Sequence, residues 1–225
     1  MKLRPKDFKA PYITQGMAWE KADGIRVQHW PSSRIPVEVE EILWKVGLRL
    51  EPLESLKEAG DVDALLRGDL TSIIVDNGEY MDDRMQNRIR FSIAHELGHF
   101  VLHSDIYREM AYESIKEWIE FVRDVPETQW SFFEMQAYEF AGRLLVPLSC
   151  LKSRVEAAVR KAEEAGFNRW DKSGDAAREY MASPISRAFG VSSQVIEKRI
   201  IREGLLLPKA QAATRIGGTG PRKKI

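Results

Sequence analysis

The chain has 225 residues, 44% of them hydrophobic and 30% charged, with cationic and anionic side chains balancing at a formal net charge of zero. That length suits one large domain or a core with a small appendage, and the balance excludes a bulk electrostatic pull towards nucleic acid or an anionic membrane. No run approaches roughly eighteen consecutive apolar residues, which excludes a spanning helix; the single cysteine, Cys150, excludes an internal disulfide and fits a reducing compartment, so the expected location is cytoplasmic.

Residues 1–34 show weak periodicity and several turn formers (Pro5, Pro11, Gly16, Gly24, Pro31), so they are expected to form an extension. Met1 to Ala10 is basic but is followed by no apolar run, so no secretory signal is expected. Pro36 to Val46 predicts a short helix with Val39, Leu43 and Val46 as its apolar stripe and Gly47 as its stop. Leu48–Leu50, Val62–Leu66 and Thr71–Val75 read as short strands, the last two joined as a hairpin through Arg67-Gly68-Asp69. Asp82 or Asp83 can cap a long helix to about His103, and an amphipathic helix is expected over Ile106–Val122. A further helix is expected from about Thr128 to just before Pro147, and another capped by Ser149. Asn168–Gly174 reads as a loop, Ala182–Leu205 as two short helices around Gly190-Val191-Ser192, and the stretch from Pro208 as a disordered tail.

The chemistry is concentrated in His95-Glu96-Leu97-Gly98-His99. Histidines four apart project from one face of a helix, one turn above the other, so two imidazoles can grip one metal ion. The intervening glutamate lies about 100° round the helix. From there Glu96 can reach a metal-bound water without being a ligand; zinc lowers that water's pKa towards roughly 7, and the carboxylate can take its proton and pass it to a leaving amine. A shuffled chain of this composition would contain the pattern roughly once in two hundred.

A catalytic zinc needs a third protein ligand and one open position. His103 sits a turn too far along the same straight helix. Asp105 stands at the spacing used by compact zinc proteases after a helix-breaking glycine, but Leu102 occupies that glycine's place. Glu134 is the favoured candidate, because Ala137 and Ala141 follow it at i+3 and i+7 and form a small-residue face for close approach to the histidine helix. Glu139 is the fallback. His103 then reads as a pocket histidine that supports the ligands or as a core residue.

Arg90-Phe91 and Ala94 to His99, the further His103, and Glu134-x-x-Ala137-x-x-Phe140-Ala141 closing on Leu144-Leu145-Val146-Pro147 together resemble the ImmA/IrrE family of zinc metallo-endopeptidases. The lead-in Ile35–Val75 and the segment Ile185–Ser192 with Arg199 are similar to other parts of that family, so the likeness covers roughly residues 35–205. The resemblance implies Zn²⁺ on His95, His99 and Glu134, Glu96 as catalytic residue, and a bacterial or phage-borne cytosolic endopeptidase. Its substrate would be a regulatory protein such as a helix-turn-helix transcriptional repressor or an antitoxin. Two features depart from the pattern: Tyr138 stands where the family usually has Asn, and the gap from His99 to Glu134 is longer, filled by the segment around Trp118, which could cover the cleft or add to the core.

The expected fold is α+β: a mainly helical zinc-protease domain at 35–150 with a small N-terminal β-sheet, and a C-terminal helical, helix-turn-helix-like portion at 151–207. Residues 1–34 are the extension and 208–225 the tail. The competing reading is a DNA- or regulator-binding protein with a structural or weakly active zinc, based on Lys198, Arg199 and Arg202 after the Gly190-Val191-Ser192 turn. The neutral charge balance weighs against a phosphate footprint. Electrophilic help to the reaction could come from His103, Tyr80, Tyr138 or Arg90, among which the sequence does not choose.

Overall fold

The structure, a computed structural model, describes residues 2–31, 33–166 and 175–205. After a 3-10 turn at Pro5–Asp7 come α1 (Gln15–His29), α2 (Val39–Lys45), β1 (Arg49–Leu53), α3 (Leu56–Gly60), β2 (Ala64–Leu66) and β3 (Ser72–Asp76). The chain continues through α4 (Asn77–Met81), a 3-10 turn at Asp83–Met85, α5 (Gln86–Met110), α6 (Ile115–Asp124) and α7 (Glu127–Leu145). It ends in α8 (Leu148–Glu164), α9 (Asp175–Phe189) and α10 (Ser193–Glu203). The fold is α+β and mainly helical, with one small sheet near the N-terminal side. No described helix is long and apolar enough to cross a membrane.

The sheet has the order β1-β3-β2, with β1 parallel and β2 antiparallel to β3. The expected hairpin is present, and its Gly68 is dictated by crowding: a Cβ there would lie 2.2 Å from the Tyr112 carbonyl oxygen. β3 is the buried central strand, and β1 and β2 are the two edges, β2 itself buried beneath α5. α5 lies on β2 and β3, while α7 packs against both α5 and α1. One continuous core runs through these layers and includes Phe8, Trp30, Ile73, Ile93, Phe133 and Phe140.

Several elements differ from expectation. The stretch 1–34 is not a bare extension: it contains α1, capped by the Thr14 hydroxyl accepting from Met17 N–H, and Ala18, Ala22 and Arg26 are its buried face. Two alanines and an arginine give almost no hydrophobic periodicity, which is why the helix is invisible to that signal. The expected helix over 106–122 is two pieces. α5 runs on to Met110 because Tyr107 and Met110 remain on its buried face; the chain then turns at Ala111 (φ 46°), and Ser114 caps α6 by accepting from Glu117 N–H. Asp82 caps the 3-10 turn before α5 rather than α5 itself. α8 starts at Leu148 with Pro147 at its cap position, ahead of Ser149. α9 begins at Asp175, earlier than expected, and runs through Pro184. The expected loop at Asn168–Gly174 and the tail from Pro208 lie outside the described residues.

Candidate metal centre

The site forms where α5 crosses α7. A Cβ on Gly98 would lie 3.1 Å from both the Ala137 carbonyl oxygen and Phe140 Cδ1, so glycine between the two histidines lets the helices meet at backbone distance. Ala137 and Ala141 are fully buried at this crossing. Glu134, three residues before Ala137, is thereby carried to the histidines on α5. Glu134 Oε2 is 2.9 Å from His95 Nε2, Glu134 Oε1 is 3.5 Å from His99 Nε2, and the two Nε2 atoms are 3.0 Å apart.

Two imidazole nitrogens and a carboxylate thus converge on one point, and one ligand atom from each lies within 4.8 Å of the others. Ligands at zinc's usual bond lengths of roughly 2.0–2.1 Å in a tetrahedron are about 3.3 Å apart, so this donor set fits zinc with shifts of a few tenths of an ångström. The charges agree. Burial works against the Glu134 carboxylate, but His99 and His95 outweigh it and hold the group well below the usual carboxylate range. Burial also works against a charged His95, and Glu134 outweighs it, raising that imidazole's pKa.

Behind the cluster runs a relay. Ligation through both Nε2 atoms leaves the His99 proton on Nδ1, where it donates to His103 Nδ1 at 2.9 Å. His103 Nε2–H then donates to Gln136 Oε1 at 2.8 Å, and Gln136 Nε2 donates to the Pro11 carbonyl at 2.7 Å. His103 is buried and stacked on Phe133, with centroids 4.0 Å apart. Burial, then the neighbouring His99, pushes its pKa down to about 3, which keeps the neutral form that can accept from His99. His95 Nδ1, by contrast, is buried and has no hydrogen-bond partner among the described residues.

Glu96 is buried beside the ligands, and its Oε2 accepts the Leu66 N–H at 2.7 Å. Burial raises its pKa against the pull of His99 and His95. The hydrogen bond ties the glutamate to β2 and leaves Oε1 for chemistry. The Tyr112 hydroxyl, from the α5–α6 turn, donates to the Leu66 carbonyl and fixes the same residue from its other side.

The cluster opens into a cleft of about 280 Å³ between β2, α5, α6 and α7. Of the residues weighed for electrophilic help, only Tyr138 lines it; its ring stands edge-on to His95, with centroids 5.3 Å apart. Its aromatic ring packs against the ligand at the position where the resembled family usually has Asn. Tyr80 is engaged with Glu40, Arg90 with the Val37 carbonyl and Glu38, and His103 lies behind His99. Asp105 is exposed and paired with Arg108, away from the cluster. Glu139 is on the opposite side of α7, accepting from Gln15 and Trp19 and paired with Arg202. Trp118 lines the cleft from α6, and its buried indole N–H has no partner among the described residues. Neither that donor, nor Gln136, nor the Leu66 N–H has a spacing signal in the sequence, because each is delivered by tertiary packing.

No curated protein matches the chain. Residues 80–200, more than half of it, match the Peptidase_M78 family, described as the IrrE N-terminal-like domain. They include both histidines, Glu96 and Glu134, and the chain therefore belongs to this family of zinc metallopeptidase-like domains.

Proposed function

We propose that the protein is a zinc-dependent endopeptidase in which His95, His99 and Glu134 hold the metal and Glu96 is the general base. The observation that supports this most is the convergence of His95 Nε2, His99 Nε2 and the Glu134 carboxylate with Glu96 beside them, its carboxylate already oriented by Leu66 N–H. Zinc, when bound, polarises a water and the scissile carbonyl and lowers the water's pKa towards roughly 7. Glu96 Oε1 takes the proton of the attacking water and delivers it to the nitrogen of the leaving amine.

β2 supplies the place for the peptide. Arg67 N–H bonds the Ser72 carbonyl and Asp76 N–H bonds the Asp63 carbonyl, so strand alternation turns the backbone groups of Ala64 and Leu66 away from β3. Those of Leu66 are used by Glu96 and Tyr112. Those of Ala64 face the cleft, where an extended substrate can add as a further strand. Tyr138 borders the same space and can donate to the oxygen that gains charge.

Likeness to the ImmA/IrrE family supports a helix-turn-helix repressor or antitoxin as substrate. Direct DNA binding is disfavoured, because on α10 Arg199 is buried and paired with Glu203 while Arg202 is paired with Glu139. Incubation of wild type and Glu96→Gln with a helix-turn-helix regulator from the neighbouring gene, followed by mass spectrometry, tests the reading. Glu96→Gln should retain zinc and fold while cleavage falls by roughly 10²–10⁴-fold. Full cleavage by Glu96→Gln would remove it as the base.

A further inference from the structure

A second cavity, of about 630 Å³, lies between the start of α5, the middle of α7 and α10. It shares Asp63, Phe91, Ser92 and Tyr138 with the metal cleft, so the two lie side by side with these residues as their common wall. Five cations line the new part: Arg84, Arg88, Lys198, Arg199 and Arg202. Four of them are already engaged, Arg84 with Asp82, Arg88 with Asp63, Arg199 with Glu203 and Arg202 with Glu139. Lys198 is exposed and has no carboxylate partner among the described residues. Its ammonium stands 5.6 Å from the centroid of Tyr138, the ring that abuts His95, and this cation–π contact holds the charge at the junction of groove and cleft.

The groove's wall is built, not incidental. Arg199 is only 3% exposed, its Nε and Nη1 lack acceptors among the described residues, and its guanidinium lies 4.7 Å from the centre of the Trp19 ring. Gly142 of α7 faces the Arg199 side chain, and a Cβ there would meet Arg199 Cδ at an ordinary contact distance of 3.4 Å. α10 is thereby fixed with Lys198 at the groove's edge. The cations of a helix that could have faced DNA instead line the cavity that adjoins the metal cleft.

We propose that this groove receives the substrate polypeptide beside the scissile bond, and that Lys198 selects an aspartate or glutamate side chain on it. The inference rests on the endopeptidase reading. An extended peptide advances roughly 3.3 Å per residue, so a carboxylate about three residues from the cleaved bond is the one Lys198 meets across the width of Tyr138. A nucleic acid fits less well, because a phosphate backbone needs several free cations and among the described residues the groove offers one.

The test uses the full-length, zinc-loaded Glu96→Gln protein and fluorescence anisotropy. The probes are an Ala/Leu-based peptide carrying aspartates, its asparagine and lysine twins, and a single-stranded oligonucleotide of equal length. The aspartate peptide should bind roughly 3- to 10-fold more tightly than the asparagine twin, the range a single partly exposed charge contact supports. Lys198→Met, added to the same protein, should abolish that preference, and Lys198→Glu should turn it towards the lysine twin. Equal binding of the aspartate and asparagine twins, a preference that survives Lys198→Glu, or tighter binding of the oligonucleotide would overturn the proposal. A parallel digest of a proteome-derived peptide library with Glu96 intact separates the two readings. Cleavage without acidic residues enriched near the cut bond contradicts the groove alone, whereas an acidic preference in binding with no cleavage of any peptide contradicts the peptidase alone.

Discussion

At the scale of single residues, the site depends on groups that hold other groups. In the proposed mechanism Glu96 can serve as a base because Leu66 N–H occupies one of its oxygens, and His99 would be a directed ligand because His103 accepts its other ring proton. Losing such a partner of a ligand typically costs 10–100-fold in metal affinity. His103→Ala should therefore weaken zinc binding by about that factor in competition with a chromophoric chelator; unchanged affinity would show that the relay does not orient His99. The ligand types and their i,i+4 spacing were legible in the sequence because a helix translates spacing directly into geometry. The roles of Gln136, Trp118 and Leu66 were not, since each depends on where another element comes to rest.

At the scale of elements, the crossing of α5 and α7 follows from small residues that the sequence displays openly: Gly98 on one helix, Ala137 and Ala141 on the other. The hairpin was legible for a similar reason, a turn sequence between two apolar runs. The break after Met110 was not, because it falls at Ala111, which holds φ at 46° without a glycine to advertise it. Asp76 shows how a local cap supports the sheet beneath the site. Its carboxylate accepts the Lys57 N–H at 2.8 Å and the Glu79 N–H at 3.0 Å, and these bonds hold its pKa below the usual value. A lowered folded-state pKa means stability that is present above the unfolded pKa, roughly 4, and lost as pH falls through the folded value. Asp76→Ala should cost about 1 kcal/mol at neutral pH, and the gap from wild type in urea unfolding should close as the pH is taken below 4. A gap that persists at acid pH would assign the loss to packing rather than to the charged cap.

At the scale of the whole molecule, α1, α7 and α10 are tied by a partly buried ionic knot. Arg143 bridges Asp23 and Glu203 at 2.6 Å each, Arg199 and Arg202 pair with Glu203 and Glu139, and the Trp19 ring lies against Arg143 and Arg199. Net neutrality conceals this arrangement, because composition counts charges without placing them. It also makes the N-terminal segment part of the scaffold: Phe8, Ala18, Ala22 and Trp30 are all buried. A chain starting at residue 35 would take Asp23 from Arg143 and the Trp19 ring from both Arg143 and Arg199; breaking a fully buried pair costs about 3–5 kcal/mol, and this partly exposed one less. That fragment should lose cooperative thermal unfolding by circular dichroism, and a fragment with an undiminished transition would return residues 1–34 to the status of an appendage. The metal centre sits between these layers, so its occupancy reports on all of them. Calorimetric titration of zinc into wild type, Glu134→Ala and Asp105→Ala is the most direct test of the account. It predicts one site per chain in wild type and Asp105→Ala, and in Glu134→Ala a loss of affinity beyond the roughly 10–100-fold caused by losing a ligand's hydrogen-bonding partner. Unchanged binding in Glu134→Ala, or loss of the site in Asp105→Ala, would contradict it.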